Sequence, residues 1–437
     1  MPSQLSRRLW ILVGLVAVAF LVAMEILARD YGQPGPLTTQ LREAIFAPRS
    51  PLMLYAGLCL MLVTLTWRQR WITISAALCL EIAFASIRAA VDAQQGLGSG
   101  AFWALLGWAL YATVRLTGRD RQLILKGVGL GLLLIAGRKV GDSWLLLTTM
   151  TRPRVLDQFV ATADRALGEP AWIVGRLVRA TGPIGTHILD FVYLLLAAAA
   201  VVVALYQLRN VCRDRRFPGH HIVRTFLVIG LLGPAVYMLF PVVGPMFAYG
   251  SAGEHFAAAD LWPNALPPAD APHWMNFDSV TPRNCMPSLH TAWATAIFIH
   301  SRKAPRPLRY AGTFWLIATL SATLGFGYHY GCDLIAGAVF CLAVEGALRN
   351  PEIGWERTRL WLVGYGAAVF GSLLLMYRYA AQAMADDPWL YGPVVIGALV
   401  SMIWLYMRTT RSWETASPGQ GQISPDRRGE PAGALLR

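Results

Sequence analysis

Long apolar runs alternate with short polar connections along the whole chain. A helix needs about 20 predominantly apolar residues to cross the hydrocarbon core of a bilayer, so runs near that length mark predicted spans. They fall at 9–28, 51–67, 71–90, 101–118, 123–148, 186–208, 222–243, 287–301, 310–327, 331–348, 360–377 and 388–407, twelve in all. The pattern predicts an all-α, polytopic membrane protein. The first run follows Arg7 and Arg8, carries Glu25 and lacks a small-residue cleavage site, which predicts a retained helix rather than a removed signal peptide. Arg138, Lys139 and Asp142 interrupt the fifth.

Composition agrees: 55% of the 437 residues are hydrophobic and 14% charged, which excludes a disordered chain and an ordinary soluble enzyme. The formal charge of +13 sits in short groups between apolar runs, so its expected partner is the membrane surface and not nucleic acid. With the N-terminus placed in the cytoplasm, 25 of the 38 Lys and Arg fall on the inner side. That bias predicts cytoplasmic termini in a bacterial-type inner membrane. Arg138, Lys139, Arg152, Arg154, Arg165, Arg176 and Arg179 cluster instead on the outer side, and 150–185 reads as an amphipathic segment on that face. The connection 244–286, with Trp262, Pro263, Pro267, Pro268, Pro272, His273 and Trp274, is long enough to suggest a functional loop. The chain then divides into an N-terminal four-helix segment (1–122), a six-helix core (123–348), two C-terminal helices (349–411) and a disordered cytoplasmic tail (412–437). Glu81 and Arg88 are expected to pair locally, with Arg115 as a candidate partner.

Two histidines stand out. His290, in TPRNCMPSLHTAWA, and His329, in TLGFGYHYGCDLIAGA, both fall at the outer mouths of predicted spans. Pro287 suits the first turn of a helix, where free backbone N–H groups bind anions beside Ser288 and His290. Asp333 is four residues after His329, on the same helical face, where a carboxylate holds one ring nitrogen protonated and leaves the other as a nucleophile. Arg283, seven residues before His290, and Arg138 with Lys139 are the candidate phosphate-binding cations. Structurally, each histidine alone reads as an ordinary interfacial residue; the joint pattern carries the functional reading. His290, His329 and Asp333 are also residue types that bind a metal.

Met286-Pro287-Ser288-Leu289-His290 and His329-Tyr330-Gly331-Cys332-Asp333 resemble the second and third motifs of the type 2 phosphatidic acid phosphatase superfamily, most closely its inositol phosphorylceramide synthase-like branch. The resemblance covers about 123–348 and implies a six-helix catalytic core. By position it implies that His329 attacks phosphorus, Asp333 orients it and His290 protonates the leaving alkoxide, with no metal or cofactor. The superfamily's first motif has no match, and Thr323 stands where an Arg usually precedes the third motif. Arg283, Ser288, Arg138 and Lys139 are therefore the expected phosphate contacts. The implied activity is a phosphotransferase moving a head group from a phospholipid donor to a lipid or glycan hydroxyl; a lipid phosphatase and a transporter are the alternatives. Cys285 and Cys332 flank the two motifs, and a disulfide between them is one option.

Overall fold

The computed structural model describes residues 4–45, 50–93, 95–250, 271–277 and 281–416. Of the predicted loop 244–286, Trp262, Pro263, Pro267 and Pro268 lie outside the described residues, as does most of the predicted tail. The N-terminal third comprises α1 (Gln4–Asp30), α2 (Pro36–Ile45), α3 (Pro51–Leu62), α4 (Trp67–Ala90), α5 (Ser99–Arg115) and α6 (Gly118–Thr151). The middle contains α7 (Asp157–Asp164), α8 (Pro170–Ala180), α9 (Gly182–Leu194), α10 (Leu196–Leu208), α11 (Val211–Asp214), α12 (Ile222–Leu239), α13 (Pro245–Ala248), α14 (Leu289–Ser301), α15 (Arg306–Gly325) and α16 (Gly331–Leu348). The chain closes with α17 (Arg357–Tyr379), α18 (Ala381–Asp386) and α19 (Pro388–Ala416). Among the described residues the strands are two short segments, Arg154–Val155 and His273–Trp274, paired antiparallel.

Every predicted run is helical, but twelve spans is not the count that the helices support. Among the described residues, six stretches are long and apolar enough to cross a membrane: Trp67–Ala90, Leu196–Asp214, Ile222–Leu239, Gly331–Leu348, Arg357–Tyr379 and Pro388–Thr415. Several of the others fall short for physical reasons. Helix α3 has 12 residues and α14 has 13, too few for the hydrocarbon thickness at 1.5 Å per residue. The predicted span 186–208 is broken at Leu195, where ψ of 15° ends α9 before α10 begins. Helix α6 runs unbroken through Arg138, Lys139 and Asp142, with Arg138 and Asp142 paired along one face at 3.0 Å.

Burial identifies the centre. In its most apolar stretch 78% of α16 is buried, against 22% for α4, α17 and α19, so α16 is the axial helix and the others turn apolar faces outward. Small residues let the helices meet: a Cβ on Gly337 of α16 would collide with the Ser288 carbonyl ahead of α14. Segment 150–185 is less superficial than its sequence predicts, since every residue of α7 is buried, and exposed apolar side chains come from α8 and the start of α9, with Ile173, Leu177 and Ile184. Glu81 and Arg88 do not reach Arg115. Glu81 accepts from the Gly98 and Gly100 N–H groups at 3.0 and 2.8 Å, and Arg88 donates to the Gly96 carbonyl at 2.8 Å, so both hold the turn before α5.

Candidate active site

The two motifs meet at the N-terminal ends of α14 and α16. Ser288 caps α14, its hydroxyl oxygen accepting from the Thr291 N–H at 3.2 Å, while its own N–H donates to the Asp333 carbonyl at 3.2 Å. The helix thus starts at Leu289, and Pro287 precedes its first turn instead of lying in it. Asp333 caps α16 in turn, its Oδ2 accepting from the Tyr330 N–H at 2.8 Å. These caps fix both helix starts, and with them the rings of His290 and His329, whose centroids are 6.3 Å apart.

His329 is almost fully buried, with Nδ1 3.3 Å from the Cys285 sulfur and 3.5 Å from Asp333 Oδ2. The Cys285 thiol donates to the same Oδ2 at 2.6 Å. Burial and the neighbouring Asp333 carboxylate push that thiol well above its ordinary value, so it keeps the proton it donates. The link from imidazole to carboxylate therefore runs chiefly through sulfur, where the sequence predicts a direct contact. Burial pushes His329 down to about 4, leaving the ring neutral at pH 7, and Nε2 makes no hydrogen bond among the described residues. A neutral imidazole with one nitrogen engaged and the other free is poised as a nucleophile. Asp333 Oδ1 is likewise buried without a partner.

His290 lies under Tyr193 of α9, the rings stacked at 4.1 Å and the phenol 3.3 Å from Nδ1. Its electrostatic neighbours are His329 and Arg138. Arg138 is half-exposed on α6, whereas Lys139 is buried. Arg283 is fully buried, and its guanidinium donates to the carbonyls of Thr281 at 2.8 Å, Met275 at 3.1 Å and Asn276 at 3.3 Å. Proximity in the chain predicts it beside His290; the fold uses these donors to brace the outer loop. Cys285 and Cys332 are both free, which corrects the disulfide option.

Two acidic residues of α7 were not among the predicted site residues. Asp157 accepts from the Val243 and Gly244 N–H groups at 3.0 and 2.8 Å and from the Tyr330 hydroxyl at 2.9 Å. Asp164 accepts from the Gly331 and Cys332 N–H groups at 3.1 and 2.8 Å, adding to the cap of α16. Burial raises Asp157 to about 6 and Asp164 to about 7. Together they clamp the loops that carry both motifs. Tyr193, Asp157 and Asp164 sit in stretches whose sequence shows only helix and basic charge, so no local signal marks them.

Comparison with known families gives two matches. Residues 158–346, which include every helix around the two histidines except α6, match the model of the PAP2 superfamily. Residues 158–346 form a PAP2 superfamily domain. Residues 8–147, containing α3–α5 and most of α6, match a domain of unknown function, DUF5933. No curated protein and no solved structure matches the chain. Arg138, in the neighbouring segment, is close enough to His290 to act on it electrostatically. Among the described residues, two sets of side chains have metal-ligating atoms within 4.8 Å of one another: Cys285, His329 and Asp333 at this site, and His220, His300 and Glu345 elsewhere. The first differs from the sequence-based set, with Cys285 in place of His290.

Proposed function

We propose that the PAP2 domain transfers a phosphorylated head group from a phospholipid to a lipid or glycan hydroxyl through a phosphohistidine. The observation that carries this reading is the pair of facing imidazoles, 6.3 Å between centroids, one backed by Cys285 and Asp333 and the other by Tyr193. That gap accommodates one tetrahedral phosphorus with a ring on either side. His329 Nε2 attacks phosphorus, the P–O bond to the leaving group breaks, and His290, neutral on its own because it is buried beside His329 and Arg138 and protonated once the phosphate's negative charge is bound, gives its proton to the departing oxygen. His290, now neutral, takes the proton of the acceptor hydroxyl; that oxygen attacks phosphorus and the N–P bond breaks. Arg138 supplies positive charge to the phosphate oxygens, with Lys139 behind it, and Ser288 and Arg283 hold the loop that frames them. The charge distribution along the chain supports a site facing away from the cytoplasm, with both termini inside.

The acceptor decides between transferase and phosphatase, because both share the first step. Incubating the purified protein with labelled phospholipid, with and without lipid acceptors, tests this: a labelled acceptor product supports transfer, and free phosphate or phosphorylated head group alone establishes hydrolysis. Acid-labile, base-stable label on His329 tests the intermediate, and full activity in strong chelator separates this mechanism from one with a metal on Cys285, His329 and Asp333.

A further inference from the structure

A cavity of about 1150 Å³ lies between α15 and α19, backed by α14 and α16. Its lining follows α16 from Gly331 past the C-terminal end to Arg349, so it is at least as long as that 18-residue helix, about 27 Å. That approaches the roughly 30 Å of a bilayer's hydrocarbon core. The walls change character along this length. Leu320, Leu334, Ala338, Leu342, Leu399 and Ile403 present hydrocarbon through the middle. At the end away from the catalytic candidates, Arg302, Lys303, Arg349 and Arg411 line the mouth. The opposing carboxylates there are Glu352 and Glu414, and Glu414 is already paired with Lys303 at 2.8 Å and Arg349 at 2.9 Å. Positive charge is in excess. His290 and His329 are not lining residues, although their neighbours Thr291 and Gly331 are.

The buried carboxylate nearest this mouth, Glu345, does not line the cavity and is held by its own donors. His300 Nε2 lies 2.8 Å from its Oε1 and His220 Nε2 3.2 Å from its Oε2. The proton on His300 follows from its other side. Ile222 N–H donates to Gln207 Oε1 at 2.9 Å, so the Gln207 amide N–H donates to His300 Nδ1 at 2.8 Å. Nδ1 is thus an acceptor and Nε2 carries the hydrogen, a tautomer that donates to Glu345 and does not bind a metal through Nε2.

We propose that this cavity is a second lipid site, which holds an anionic phospholipid of the leaflet at the basic end. Its phosphate lies against Arg302, Lys303 and Arg411, and one acyl chain runs along α16 between α15 and α19. Apolar burial holds the chain and the basic mouth selects the head group. Because α19 lies outside the matched 158–346 segment, the site gives this last helix a role: it completes a lipid slot that the PAP2 domain alone leaves open.

The test uses the full chain in nanodiscs of phosphatidylcholine containing a minority of phosphatidylglycerol, followed by native mass spectrometry of the lipids retained. Wild type should retain phosphatidylglycerol over phosphatidylcholine by about tenfold relative to the bulk mixture. Ala338→Trp, which fills the slot from α16, should lower retention about tenfold, with Ile403→Trp on α19 as the second filling variant should the first not fold. Lys303→Gln with Arg411→Gln should keep a lipid bound and abolish the preference. Retention without preference in the wild type, an unchanged preference in the double charge variant, or full retention in a folded filling variant each overturns the proposal. None of these readouts depends on turnover, so the site stands or falls separately from the catalytic reading.

Discussion

The two ends of α14 and α16 carry the same chemical groups, with their carboxylates in opposite states of satisfaction. At one end are His290, His329 and Asp333; at the other are His300, Glu345 and His220 from the loop before α12. Glu345 has both oxygens occupied, Oε1 by His300 at 2.8 Å and Thr225 at 2.5 Å and Oε2 by His220 at 3.2 Å. Asp333 has Oδ1 unpartnered, and His329 keeps a free Nε2. Identical residue types therefore serve two purposes. A saturated buried carboxylate ties helices together, whereas one with unused valence beside a half-engaged imidazole is set up for chemistry.

The sharpest way to break that contrast is to remove the free imidazole. His329→Ala should lower turnover by at least about 10³-fold and His290→Ala by about 10²–10⁴-fold, measured as product formed per folded protein. Near-normal rates in either would remove its assigned role. Asp333→Asn should cost about 10²-fold or more in kcat with little change in KM, since it leaves the nucleophile in place and weakens its orientation. The acidity of the site gives the next effect. With His329 held at about 4, protonation blocks its nucleophilic nitrogen only in acid. The value of kcat/KM should accordingly rise with pH through about 4, tenfold per unit below it, and a limb centred near 6.5 would contradict the burial argument.

The two arginines divide in the same way. Arg138→Ala should reduce kcat/KM about tenfold and leave the melting temperature in detergent unchanged. Arg283→Ala should do the reverse, losing about 2–3 kcal/mol of stability because a charged donor to three loop carbonyls is gone. The smallest catalytic effect belongs to the saturated end: Glu345→Gln should keep kcat within about twofold while costing about 1–3 kcal/mol of stability. A large loss of kcat there would mean that the two ends are not separate.

Much of the site was legible. His290, His329 and Asp333 sit in two compact motifs, and a helix start near each follows from Pro287 and Asp333, although the first helix begins only at Leu289. Cys285 was legible as a neighbour of the motif but not as the link between His329 and Asp333, because its 48-residue separation from Asp333 gives no geometric cue. Asp157 reaches Tyr330 across 173 residues and Asp164 reaches Cys332 across 168, and nothing in their own segment distinguishes them from caps or surface acids. Arg283 misled for the complementary reason: nearness in the chain does not fix where a long guanidinium turns when loop carbonyls compete for it.

Hydrophobic periodicity determined that this chain is helical and belongs in lipid, because no aqueous fold buries so much apolar surface with so little charge. Residue identity at the two motifs determined which side chains have the chemistry. Tertiary structure alone decided which helices are too short or broken to cross, which donors reach each buried carboxylate, and therefore which of the two carboxylates keeps an oxygen free. Hydrogen bonds saturate in space and not along the sequence, so the distinction between a fully engaged and a partly free carboxylate appears only once distant segments have met.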